Sequence, residues 1–109
     1  MIFDEKTVFS EDIKNPSKTR KNLEQKKGFK NLYIVAFREG STKPEIYPTL
    51  QFKQKRFSPE AKGELYVAGV FTAETDALEM VRRLCEISTE IDDTLNFREA
   101  FNRYREESD

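Results

Sequence analysis

The 109-residue chain contains no histidine and no tryptophan, one cysteine, four glycines and four prolines. Lacking histidine, it lacks the commonest general acid–base group and the commonest metal ligand near neutral pH. Cys85 is the one thiol, so an internal disulfide is excluded; with one Cys and no His, zinc sites and the Ser–His or Cys–His nucleophilic pairs are excluded too. A carboxylate-only metal site is compatible with the composition. Its spacing signal is missing, however, since neither an Asp-rich calcium loop nor a Gly-rich phosphate loop followed by Lys occurs. These absences point away from an enzyme, with no cofactor and no small-molecule substrate expected. No apolar run approaches the roughly 20 residues that span a bilayer. The N-terminus has no basic-then-apolar export pattern. The expectation is a cytoplasmic protein with no membrane partner.

What is present is a large charged fraction beside an adequate apolar one. Hydrophobic residues make up 37% and charged residues 36%, with nine Phe and four Tyr. This balance suits one folded domain with a modest core and a heavily solvated surface. The net charge of −1 hides a polarity. Residues 11–30 hold seven Lys/Arg against three acids, and residues 31–71 hold six against four. Residues 72–109 hold five Arg against eleven acids. A basic first half and an acidic end can steer a polyanion to one side or favour self-association; ordinary solvated faces that happen to segregate give the same counts.

Residues 1–30 read as a basic N-terminal extension, flexible or partly docked, ahead of a single α+β domain at 31–109. Asn15-Pro16-Ser17 is a turn signal, and residues 18–27 show little apolar periodicity, with Leu23 alone too little to anchor a helix. Ile2, Phe3, Val8, Phe9 and Ile13 are able to dock an early segment. Residues 31–38 form the first strand, apolar at almost every position and so buried on both faces. Residues 45–56 alternate: Ile46, Leu50 and Phe52 face one way, and Tyr47, Thr49, Gln51, Lys53 and Lys55 the other. Pro48 cannot donate to a ladder, which suggests an edge or a bulge. Leu65–Phe71 is the third strand, in which Gly69 marks a bulge or a close backbone approach. Thr72 is placed to cap a helix running to about Ile87, with Glu74 and Asp76 in its first turn. Ala77, Val81, Leu84 and Ile87 or Ser88 form its apolar stripe, widened by Leu78 and by Cys85, read as a small core residue. Asn96 with Glu99 starts a last helix, 97–107, with Phe97, Ala100, Phe101 and Tyr104 on one face. The predicted fold is therefore α+β: a three-stranded antiparallel sheet on one amphipathic helix, with a short C-terminal helix and the N-terminal extension.

Gly69-x-Phe71, the acidic Ala-containing stretch 72–77 and Asn96-Phe97 together resemble the Apetala/ethylene-response-factor type DNA-binding domain, over residues 33–97. That family, found also in integrases and homing nucleases, lays the exposed face of its sheet in the major groove through Arg and Trp on the strands. The resemblance implies a DNA-binding sheet face, but Val35, Phe37, Leu65 and Val67 stand where the family has those residues. Only the second strand offers a polar, basic row.

The first reading is a non-enzymatic nucleic-acid-binding accessory or regulatory protein. Tyr47 would stack on a base and Gln51 read a base edge, while Lys18, Arg20, Lys21, Lys26, Lys27, Lys53, Lys55 and Arg56 would meet phosphates. The alternative is a small protein-binding adaptor or inhibitor, of a kind encoded by phages or mobile elements. It would act through its acidic C-terminal helices or through an apolar sheet face, with Leu65, Val67, Phe101 and Tyr104 as contacts. A homodimer joined through the basic and acidic halves is a third arrangement. DNA, a protein or a second copy are thus the expected partners.

Overall fold

A computed structural model describes residues 1–25, 27–38, 43–50, 64–91 and 97–108. The elements in order are β1 (Ile2–Phe9), α1 (Pro16–Glu24), β2 (Tyr33–Arg38), β3 (Pro44–Pro48), β4 (Leu65–Phe71), α2 (Glu74–Ile91) and α3 (Phe97–Ser108). Among the described residues the sheet has four strands, ordered β1-β4-β2-β3. β2 is antiparallel to both β3 and β4, while β1 runs parallel to β4. The fold is α+β, and its sheet is mixed instead of the three antiparallel strands expected. The difference comes from β1, drawn from the segment read as an extension. Phe3 is buried, and the Thr7 hydroxyl donates to the Val67 carbonyl at 2.9 Å.

The same segment holds α1. The Asn15 side chain accepts the Lys18 N–H at 3.1 Å, and Pro16 opens the helix, where its missing N–H goes unneeded. A pair read as a turn is thus a helix start. Leu23 is fully buried between α1 and the sheet, and Arg20 lies 5.5 Å from the centre of the Phe3 ring. One leucine suffices here because strand residues and the neighbouring Leu32 and Ile13 complete the cluster it enters.

Two apolar clusters lie on opposite faces of the sheet. On one, Leu23 packs with Phe3, Ile34, Ala36, Leu65, Val67 and Val70. On the other, Ala77, Met80, Leu84 and Ile87 of α2 and Ala100 and Phe101 of α3 cover Val35, Phe37, Ala68 and Phe71. β2 is apolar throughout because alternate residues enter alternate clusters. In β4 the alternation breaks: Val35 pairs with Gly69, but Ala36 pairs with Val67. Ala68 is the extra residue of a bulge, which returns Leu65 and Val67 to the same face as Val70. Leu65 and Val67 therefore do not share an outer face with Val35 and Phe37, as the plain alternation suggested, and all four are buried. Gly69 also marks a close approach, since a Cβ there would lie 2.6 Å from the Phe71 ring and 2.8 Å from Met80 Sδ.

The stripe of α2 shifts relative to expectation. Met80 is in the core, whereas Leu78 is 52% exposed and Cys85 is exposed. At about 100° per residue, Leu78 and Cys85 fall beyond the edge of the face centred on Ala77, Leu84 and Ile87. Tyr47 and Thr49, expected on a wet face, are also inside. Thr49 bonds both ways with the Phe29 backbone at 3.1 Å, and β3 ends at Pro48 so that Leu50 is left exposed. Among the described residues no helix is long and apolar enough to cross a membrane.

Candidate functional site

β1 and β4 are neighbours and parallel, yet the chain leaves them in opposite directions. After Phe9 it crosses to α1 on one face of the sheet, and after Phe71 to α2 on the other. The connections that leave these two adjacent parallel strands diverge to opposite faces and so flank the strands' carboxyl ends. Short bonds tie the two loops together. Ser10 N–H donates to the Val70 carbonyl at 2.9 Å, and Thr72 N–H donates to Ser10 Oγ at 3.2 Å. The Thr72 hydroxyl, expected to cap α2, donates instead to Asp12 Oδ2 at 2.6 Å. That bond, and then one from Ser10, hold the Asp12 carboxyl below the usual carboxylate range, so it is charged at neutral pH.

Asp12 stands on the wall between two concavities. On the α1 side is a cavity of about 310 Å³, bordered by Lys14, Lys18, Lys30, Thr19, Asn22 and Asn31. None of the three lysines makes an ion pair among the described residues. Asn31 has φ 60°, the left-handed region that asparagine tolerates better than most side chains. On the α2 side is a cavity of about 590 Å³ with the opposite charge. Glu11, Asp76 and Glu79 stand around Phe71, Met80 and Tyr104. Burial is the main cause that pushes the Tyr104 phenol above its ordinary range.

The predicted contact residues scatter over this frame. Lys18 and Lys21 are exposed on α1 and Lys27 is exposed just after it. Arg20 is exposed but engaged, with its guanidinium 2.8 Å from Glu24. Lys26, Gln51, Lys53, Lys55 and Arg56 lie outside the described residues. Tyr47 is 8% exposed; its ring belongs to the α1-side cluster, which leaves little face to stack on a base. Its hydroxyl donates to the Glu45 carboxylate and accepts from Arg38. Of the proposed protein contacts, Leu65, Val67 and Phe101 are buried in the protein's own core, and Tyr104 is half-buried beside the acidic cavity. Phe101 is inside because α3 docks on α2.

Lys14 and Lys30 belong to the basic segment, but nothing in their spacing of sixteen positions marks them as neighbours. They meet because α1 and the turn before β2 return to the end of β1. Thr19, Asn22 and Asn31 carried no signal at all. Among the described residues no group of three or more His, Cys, Asp or Glu is placed to hold a metal ion. Comparison with protein-family models, with curated proteins and with solved structures finds no match to this chain.

Proposed function

We propose that this protein is a non-enzymatic nucleic-acid-binding accessory or regulatory protein whose contact surface is the basic side of α1. The observation that carries this reading is the convergence of Lys14, Lys18 and Lys30 on one concavity, without ion pairs among the described residues, with Lys21 and Lys27 exposed nearby. Lysines already paired with carboxylates have little to offer a phosphate; these have no such partner among the described residues. α1 adds the positive end of its dipole beside Lys14 and Lys18. Binding of this kind releases counterions and is strongest at low salt. Fluorescence anisotropy with a labelled duplex at about 50 mM salt is expected to detect a complex. The triple variant Lys14→Ala, Lys18→Ala, Lys30→Ala is expected to weaken it by at least about tenfold. No complex with the wild type at that salt would end this reading.

The acidic cavity favours a second reading, an adaptor that takes a basic segment of a protein. Glu11, Asp76 and Glu79 would meet Lys or Arg while Met80 and Tyr104 receive an apolar side chain. Calorimetry with a Lys/Arg-rich peptide carrying one aromatic residue tests it. Binding should disappear in the Glu11→Lys, Asp76→Lys double variant, and equal binding to both proteins removes the reading.

A further inference from the structure

The 310 Å³ cavity has properties that general attraction for a nucleic-acid backbone does not require. Its volume is at the low end of ligand pockets, on the scale of a small ligand group. Lys14, Lys18 and Lys30 line it together with Thr19, Asn22 and Asn31, and the side chains of the last three make no hydrogen bond among the described residues. The one acid on its wall, Asp12, stays ionised while it accepts the Thr72 hydroxyl, so three positive charges stand there against one negative. Phe29 is 38% exposed at the same cavity, with its backbone fixed by the two bonds to Thr49. The site thus joins concentrated positive charge, neutral donors and acceptors, and one aromatic face.

An internal phosphodiester carries one negative charge, and its chain must enter and leave. A phosphate monoester carries about −1.5 to −2 at neutral pH and presents three terminal oxygens. Three lysines around a small cavity suit the second better, and Phe29 suits the base or sugar attached to it. We infer that the cavity receives the terminal phosphate monoester of a nucleotide, with Lys14, Lys18 and Lys30 on the phosphate and Phe29 against the adjoining nucleoside. The source to which the inference commits is the 5′-phosphate of a strand end. It deepens the nucleic-acid reading and rests on it for that source, because a free mononucleotide offers the same chemistry.

The test uses the full chain and three probes: a single-stranded oligonucleotide with a 5′-phosphate, the same oligonucleotide with a 5′-hydroxyl, and a free nucleoside 5′-monophosphate. The phosphorylated strand is expected to bind about tenfold or more tightly than its hydroxyl twin. The preference should vanish in Lys18→Ala and in Lys30→Ala, each retaining the wild-type melting temperature. Phe29→Ala should weaken the phosphorylated strand while leaving a preference for the phosphate. Equal affinity for the two oligonucleotides overturns the inference and leaves the nucleic-acid reading standing. Lysine-dependent binding of the mononucleotide, with neither oligonucleotide bound at about 50 mM salt, upholds the monoester site but overturns the strand-end source, while the duplex titration decides the nucleic-acid reading separately. Failure of all three probes overturns the inference.

Discussion

Tyr47 illustrates how a single side chain changes meaning when its surroundings are known. Its ring sits with Leu23, Ile34 and Leu65, and its hydroxyl lies between Arg38 and Glu45. Burial first, and then the bond to Glu45, raise the phenol from 10.0 to about 12, against a smaller opposing effect of Arg38. A group whose folded pKa is raised contributes stability fully below its unfolded pKa. That contribution is therefore intact below about pH 10 and is lost as pH rises to about 12. An absorbance titration should show one tyrosine ionising near 12, absent in Tyr47→Phe. Early ionisation of all four tyrosines would place Tyr47 at the surface after all. Residue type and alternation did not reveal this, because Tyr47 and Ile46 are both plausible on the buried side of a strand.

At the scale of elements, α1 is the sharpest case. A nine-residue helix is too short to persist alone in water, so its stability comes from docking. Leu23 is its one buried side chain. Leu23→Ala is accordingly expected to cost about 2–5 kcal/mol in a denaturant titration. Leu78→Ala, at a half-exposed position of α2, should change stability by only about 0.5–1 kcal/mol. Equal effects would mean that α1 is not packed as described. The capping chemistry of α1 was legible in Asn15-Pro16, but the same pair suits a turn, and only the cover provided by the sheet decides between them. α2 was legible in its acidic first turn and apolar stripe, with Met80 replacing Leu78 and Cys85 at the core. β4 was legible as a strand, and Gly69 as a bulge or close approach. The facing of Leu65 and Val67 was not, because one inserted residue reverses every side chain beyond it.

At the scale of the molecule, charge is sorted to two sides of a wall near Asp12, with lysines toward α1 and carboxylates toward α2 and β1. If Lys14, Lys18, Lys21, Lys27 and Lys30 all meet phosphates of a duplex, log affinity should fall against log salt with a slope of about −4.5. With Lys14, Lys18 and Lys30 replaced by Ala, the slope should relax to about −2. A slope unchanged by these substitutions would place the contact surface elsewhere.

Residue order alone determined the strand at residues 33–38, the strand and helix on either side of Thr72, the last helix and the segregation of charge. Each is carried by neighbours in the chain, through periodicity, capping or simple counts. Tertiary structure alone decided that β1 joins the sheet in parallel, that Leu23 anchors α1, and that Lys14 and Lys30 share a cavity with Lys18. Those features depend on which strands lie side by side and on where the connections after β1 and β4 part. Contacts between residues sixteen or sixty positions apart leave no local mark, because the energy that selects them comes from the whole buried surface.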